Sequence, residues 1–199
     1  MQVDQEPEQN SKQLINMALN TEQFIGRHFK LKHLIYSNVA LNNNINNMPG
    51  VDTTPTQTTI INNLKNLMEN VVDFIVDRYP LLIISSGYRC QELNKFIGGS
   101  NTSQHIFGQA VDIQVPGISS LVLYNFIYNS SLIKNWDQLI WEYPENGNNN
   151  SWIHVSYGPQ NRNKTTLASN VDDFHNLYNG DRYGSRNQYQ HGITTAKLI

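Results

Sequence analysis

The chain has 199 residues and a formal net charge of −2. This length suits one domain with tails, which can bury a core without disulfide staples. The near-neutral charge provides no basic surface, so nucleic acid is not expected as a partner. The single cysteine, Cys90, excludes an intrachain disulfide framework, and no segment reaches the ~18–20 apolar residues of a membrane-spanning helix.

The N-terminal part of the chain is polar. Residues 1–23 are interpreted as a polar extension, and they lack the apolar core of a secretory signal peptide. The first clear helix is predicted from Thr54, a capping residue followed by Pro55, to about Tyr79. Apolar residues at three-and-four spacing predict a buried stripe on this helix: Ile60, Ile61, Leu64, Leu67, Met68, Val71, Val72 and Ile75.

The middle of the chain alternates apolar runs with helical patterns. An apolar run at 81–84 precedes a predicted helix at 91–97, and Cys90 is interpreted as a small packed residue at the start of that helix. A further helix is predicted at 118–128. Period-two alternation predicts three strands: Ala110–Val115, Gln138–Tyr143 and Trp152–Tyr157. The first and the last each have an apolar face and a ligand-bearing face.

These strands would place three acidic or imidazole side chains on the open face of one small sheet. Asp112 and His154 lie on the two ligand-bearing faces. In the third strand, Glu142 lies on the face opposite the one that carries Tyr143. His105 belongs to the loop before the first strand. Zinc accepts His and Asp as ligands, and three protein ligands leave a fourth position open, as in a catalytic site. His105, Asp112 and His154 are therefore candidate zinc ligands.

These residues and the strings around them resemble those of a known family. The chain is similar to the zinc D-Ala-D-Ala carboxypeptidases and endopeptidases that cleave bacterial peptidoglycan (peptidase M15), which share their fold with the Hedgehog signalling domain. The resemblance covers roughly residues 24–160, and the opening at 29–31 resembles the phage-encoded branch. The matching residues are Ser86, Gly87, Tyr88, Arg89, Leu93, Asn94, Gly98, Gly99, Ser103, His105, Gly108, Ala110, Asp112, Trp152, His154, Val155 and Ser156.

The resemblance implies a role for several of these residues. His105, Asp112 and His154 match the ligands of one zinc ion. Arg89 matches the arginine that binds a substrate carboxylate or carbonyl, a task that suits a planar guanidinium. Glu142 lies where the family places its general base.

Other assignments are more open. Ser103 and Trp152 are assigned to substrate binding, although Trp152 stands where some members carry a histidine that helps to stabilise the oxyanion. Glu145, in the asparagine-rich segment that follows Glu142, is the alternative general base. Arg89 also has a purely structural interpretation, as one half of a salt bridge.

Together, the residues and the resemblance predict an α+β domain at 24–160, with a small antiparallel sheet, flanking helices and one zinc ion. The predicted function is hydrolysis of a peptide bond in peptidoglycan stem peptides, as a D,D-carboxypeptidase or an L,D-endopeptidase. Residues 161–199 are interpreted as a tail of unknown role, and a monomer is expected. The resemblance implies a phage enzyme made in the host cytoplasm, which reaches the cell wall after lysis or on the virion.

Two other functions stay open at this point. One is a zinc-stabilised module that binds the cell wall, or a virion structural component, without cutting a bond. The other is a zinc hydrolase that acts on a different peptide. Glu142 favours an enzyme over a binding module, because a module that only binds has no need of an acid at that position.

Overall fold

The computed structural model describes residues 19–144, 151–168 and 183–185. Most of the predicted N-terminal extension, Glu145 and much of the predicted tail lie outside the described residues. The described residues form an α+β fold, as predicted, in which helices flank a six-stranded sheet. No helix among them is long and apolar enough to cross a membrane.

A hairpin and two short helices open the fold. In chain order they are β1 (Phe24–Ile25), β2 (Phe29–Lys30), α1 (Leu31–Ile35) and α2 (Asn38–Asn42). The N–H of Tyr88 donates to the carbonyl of Leu34 at 2.7 Å. This bond ties α1 to the segment that carries Arg89.

The long predicted helix is present in three parts: α3 (Gln57–Leu67), a π-helical turn (Met68–Val72) and α4 (Asp73–Arg78). It begins later than predicted because the hydroxyl of Thr56 caps it, accepting a hydrogen bond from the Thr59 N–H at 3.3 Å. Every residue of the predicted stripe is fully buried except Ile61, which is partly buried. The stripe therefore forms part of the core. Burial of each aliphatic side chain stabilises the folded state by about 1.5–3 kcal/mol.

The six strands of the main sheet are β3 (Ile83–Ser86), β4 (Ala110–Gln114), β5 (Gln138–Glu142), β6 (Trp152–Ser156), β7 (Lys164–Ala168) and β8 (Tyr183–Ser185). Their order in the sheet is β3-β4-β6-β5-β7-β8. Neighbouring strands pair antiparallel, except that β5 and β7 pair parallel. The three strands predicted to carry Asp112, Glu142 and His154 are all present, and each ends one residue earlier than predicted.

One face of the sheet packs into the core together with α5 (Gln91–Phe96) and α6 (Ser120–Asn129). Cys90 is 1% exposed and caps α5, because its Sγ accepts a hydrogen bond from the Leu93 N–H. Burial raises the pKa of the Cys90 thiol. The interpretation of Cys90 as a packed residue is therefore confirmed. The sheet residues of the core face are Val111, Ile113, Leu139, Trp141, Ile153 and Val155.

Strand β7 lies in the segment that was interpreted from the sequence as a tail. It pairs with β5 along its whole length, from Gln138 opposite Lys164 to Glu142 opposite Ala168. Thr165 is fully buried. Threonine fits a pleated surface well, but the segment has no clear alternation of apolar and polar residues, so its pattern did not predict a strand. Strand β7 thus belongs to the same sheet as Glu142.

Candidate active site

Two neighbouring strands present Asp112 and His154 side by side. Asp112 in β4 lies directly opposite His154 in β6 in the antiparallel register, so both side chains leave the same face of the sheet. On the other side of β6, Ile140 is opposite His154 and Glu142 is opposite Trp152. Asp112, His154 and Glu142 therefore share one face, as the strand alternation predicts.

A tight turn before β4 carries His105. The N–H of Gly108 donates to the His105 carbonyl at 3.2 Å, and the N–H of Gln109 donates to the Gln104 carbonyl at 2.9 Å. Gly108 has a φ of +68°, in the left-handed region that favours glycine. A Cβ at this position would lie 2.8 Å from the carbonyl oxygen of Ile60 in α3. The turn can therefore pack closely on α3 because residue 108 is glycine.

The side chains of His105, Asp112 and His154 converge. Nε2 of His105 lies 3.3 Å from both Nδ1 of His154 and Oδ1 of Asp112, and the last two atoms are 3.0 Å apart. All three residues are buried. Among the described residues, they form the one group of three or more His, Cys, Asp or Glu side chains whose donor atoms lie within 4.8 Å of one another.

The triangle formed by these three potential metal-ligand atoms fits a divalent metal ion. Ligands placed tetrahedrally around zinc at about 2.0–2.1 Å lie about 3.3–3.4 Å apart, close to the spacing of these atoms. The Nδ1–H of His105 donates to the Gly87 carbonyl at 2.7 Å, which leaves a lone pair on Nε2. A carboxylate oxygen and the second imidazole nitrogen face this lone pair. When Nδ1 of His154 also carries no proton, the three lone pairs repel one another, and a cation between them would stabilise the arrangement.

Burial and local charge shift the pKa values of two members of this group. Burial lowers the pKa of His105, against the opposing effect of the Asp112 charge. Burial by itself would raise the pKa of Asp112, but the contacts with His105 and His154 hold that pKa well below its usual range. An uncharged imidazole and an ionised carboxylate are the forms that bind metal.

Arg89 lies against the second carboxylate oxygen of Asp112. Its Nη2 donates to Asp112 Oδ2 at 2.6 Å, and its Nε donates to the Ser86 hydroxyl at 2.8 Å. Its backbone N–H donates to the His105 carbonyl at 3.2 Å. Arg89 therefore forms a salt bridge, as in its structural interpretation, and it also lines a cleft beside the donor atoms.

This cleft, of about 560 Å³, brings the predicted site residues together. Arg89, Ser103, Glu142 and Trp152 line it with the three converging side chains. Burial raises the pKa of Glu142, while the neighbouring charges act in both directions. Glu145, the alternative base, is outside the described residues.

Tyr143 also lines the cleft, although strand alternation predicts it on the face opposite Glu142. Strand β5 ends at Glu142, and Tyr143 has a φ of +50°, which takes it out of the extended conformation. The Tyr143 ring is tilted against Trp152, with 5.2 Å between the centroids. The prediction for Tyr143 was wrong because period-two alternation holds only within a regular strand.

Gln104 is a cleft residue that the sequence analysis did not identify. Its side-chain amide donates to Asp137 Oδ2 at 2.6 Å, and the residue forms part of the cleft wall. The sequence signal that could have indicated Gln104 is its position next to His105. Its partner Asp137 is 33 residues away in the chain, and that contact had no signal in the sequence.

A comparison with protein families matches residues 28–156 to the family described as Peptidase M15, which is more than half of the chain. The chain belongs to the peptidase M15 family. The resemblance found in the sequence is therefore confirmed at the level of the family, and the protein is a peptidase. A comparison with curated proteins found no match.

The M15 match contains every residue predicted for the site, from Arg89 to His154. It ends at residue 156, before β7. In this M15 peptidase, therefore, one of the two strands that pair with β5 is formed by a segment beyond the matched region.

The close approach of the His105 turn to α3 leads to a first prediction. Gly108→Ala is expected to lower the free energy of unfolding by more than Gly98→Ala, measured by urea denaturation. Gly98 has a φ of +74°, and no atom lies within 4 Å of the position that a Cβ would take. Its substitution therefore lowers the free energy of unfolding only by the cost of the left-handed backbone conformation, about 1–2 kcal/mol. Gly108→Ala adds the overlap with Ile60, worth roughly 1–3 kcal/mol more. Equal losses in the two variants would contradict the close approach.

Proposed function

We propose that this M15 peptidase depends on zinc and hydrolyses a peptide bond in the stem peptides of bacterial peptidoglycan. The observation that carries the proposal is the convergence of His105, Asp112 and His154 beside Glu142 in one cleft. The family match supports the peptidase activity. The residue strings that resemble the peptidoglycan-cleaving enzymes support the substrate.

In this proposal Nε2 of His105, Oδ1 of Asp112 and Nδ1 of His154 hold one zinc ion. The chemistry that zinc supplies when bound is Lewis acidity, which polarises a scissile carbonyl and lowers the pKa of water to about 7. The chain contributes a buried donor set whose carboxylate is held ionised and whose first imidazole is held uncharged. These protonation states let the two groups take up a cation without first losing protons.

Glu142 is the proposed general base. It lies on the same sheet face as His154 and in the wall of the same cleft, so a substrate in the cleft would be within its reach. Its carboxylate takes a proton from the attacking water and returns it to the leaving amine nitrogen. The raised pKa that burial gives Glu142 suits a group that must both accept and return a proton near neutral pH.

Arg89, Ser103 and Trp152 are the proposed substrate-binding residues. The guanidinium of Arg89 has five N–H groups, and among the described residues its side chain donates to Asp112 and Ser86. Its remaining donors can bind a carboxylate or carbonyl of the substrate. Ser103 and Trp152 line the cleft, where they would contact the substrate.

The proposal also covers the setting in which the enzyme acts. The opening at 29–31 resembles the phage-encoded branch, which supports an endolysin or a virion-associated enzyme. Such an enzyme is made in the host cytoplasm and meets the cell wall after lysis or on the virion. We propose a monomer, because one chain supplies the whole donor set and the acid beside it.

Digestion of purified peptidoglycan tests the proposed reaction. The protein is incubated with cell walls with and without a chelator, and the released fragments are analysed by mass spectrometry. We expect chelator-sensitive release of D-alanine from a carboxypeptidase, or stem peptides cut between L-Ala and D-Glu from an endopeptidase. Zinc-loaded protein that binds walls of several types without releasing fragments would contradict hydrolysis and favour a binding module. Cleavage of unrelated peptides alone would contradict the substrate.

Substitution of Glu142 tests the assignment of the base. Glu142→Gln is expected to keep its bound zinc and to lose at least about 100-fold in turnover, because general base catalysis is removed. His105→Ala and Asp112→Ala are expected to lose both zinc and turnover. Metal content is measured by atomic absorption and turnover by fragment release. Glu92→Gln, at an exposed position on α5, is the control that should keep both. Turnover of Glu142→Gln at the wild-type rate would show that another group is the base.

A further inference from the structure

The segment that follows β6 returns to the turn that carries His105. Asp137, just before β5, is 3% exposed, and its carboxylate accepts four hydrogen bonds. One comes from Nε2 of Gln104 at 2.6 Å. The others come from Arg162: its backbone N–H at 3.0 Å, and its Nε and Nη2 at 2.7 Å each. We call Gln104, Asp137 and Arg162 the Asp137 clamp.

The backbone of Asp137 is fixed as well. Its N–H donates to the Ser156 carbonyl at 2.7 Å, and its own carbonyl accepts the Lys164 N–H at 3.0 Å. These bonds join the ends of β5, β6 and β7, so the carboxylate is held on a rigid part of the sheet. Burial works to raise the pKa of Asp137, but the hydrogen bonds from Arg162 and Gln104 lower it below its usual range. The ionised carboxylate can therefore act as a strong acceptor for the Gln104 amide.

The clamp holds the side chain of one residue of the turn, and a second contact holds the side chain of the next residue. The Gln104 carbonyl accepts the N–H of Phe107 at 3.2 Å and that of Gln109 at 2.9 Å, so the backbone of Gln104 is part of the turn itself. The ring of the next residue, His105, donates to the Gly87 carbonyl at 2.7 Å. Movement of the turn is therefore restrained at both contacts.

We propose that Asp137 and Arg162 are positioning residues, which act through Gln104 to hold His105 in the geometry that binds metal. The inference rests on the proposed function, since it concerns the same metal site. Arg162 lies beyond residue 156, where the family match ends, in the segment first interpreted as a tail. The clamp gives this segment a role in the active site.

The test is a titration of the metal-free full chain with Co²⁺, followed by the visible absorption of the bound ion. The variants are Gln104→Met, Asp137→Asn and Arg162→Ala. Each is expected to weaken Co²⁺ binding about 10-fold or more, in the range for residues that orient a metal ligand, and to change the absorption spectrum. The controls are Arg27→Ala and Asp77→Asn, which break another paired Arg–Asp contact, outside the cleft. Both controls are expected to bind Co²⁺ as the wild type does.

A double-mutant cycle separates positioning from general loss of stability. If the clamp acts through Gln104, Asp137→Asn should weaken Co²⁺ binding much less in the Gln104→Met background than in the wild type. Gln104→Met leaves the Asp137–Arg162 ion pair intact, so it tests the inference even if the charge variants fail to fold. Folding is checked by circular dichroism.

The outcomes are distinct. Wild-type chain that binds no Co²⁺ overturns the proposed metal site, and the clamp with it. Wild-type chain that binds Co²⁺, with a folded Gln104→Met variant of equal affinity and spectrum, overturns the clamp and leaves the metal site standing. Weakened, non-additive binding in the clamp variants, with unchanged controls, supports the inference.

Discussion

The site depends on holding two imidazole nitrogens and a carboxylate oxygen 3.0–3.3 Å apart in a buried place. In the unprotonated forms that bind metal, these three atoms repel one another, so the surrounding structure must hold them close together. The strand register sets Asp112 opposite His154, and the Gly87 carbonyl fixes the proton on the ring of His105. Arg89 takes the other oxygen of Asp112. Each of these contacts restrains one of the three side chains, so the three metal-ligand atoms stay close together.

The two faces of the main sheet have different roles, one in the stability of the fold and the other in the chemistry of the site. One face packs against the helices, and its strand residues are buried with the stripe of α3 and the π-helical turn. The other face carries Asp112, His154 and Glu142 into the cleft. Because side chains alternate along a strand, the residues on either side of Asp112 and of His154 point into the core. The packed core therefore holds the backbone of these two residues in place. The parallel pairing of β7 with β5 extends this support to the strand of Glu142.

The parts of the site that were predictable are those encoded in short stretches. Strand alternation placed Asp112, His154 and Glu142 on one face, and the residue strings indicated the family before the comparison confirmed it. Tyr143 was misplaced because a positive φ ended the strand one residue early. The link from Gln104 to Arg162 was not predictable, since it passes through a carboxylate distant from both in the chain. Contacts of this kind follow from the folded arrangement of strands, which local pattern does not encode.

In the proposed function, His105, Asp112 and His154 would hold one zinc ion through two imidazole nitrogens and one carboxylate oxygen. Anomalous diffraction at the zinc absorption edge, from crystals grown with zinc, tests it directly. The account predicts one strong peak at about 2.0–2.2 Å from Nε2 of His105, Oδ1 of Asp112 and Nδ1 of His154. A map with no peak between these three atoms, or with the strong peak at other residues, would contradict it.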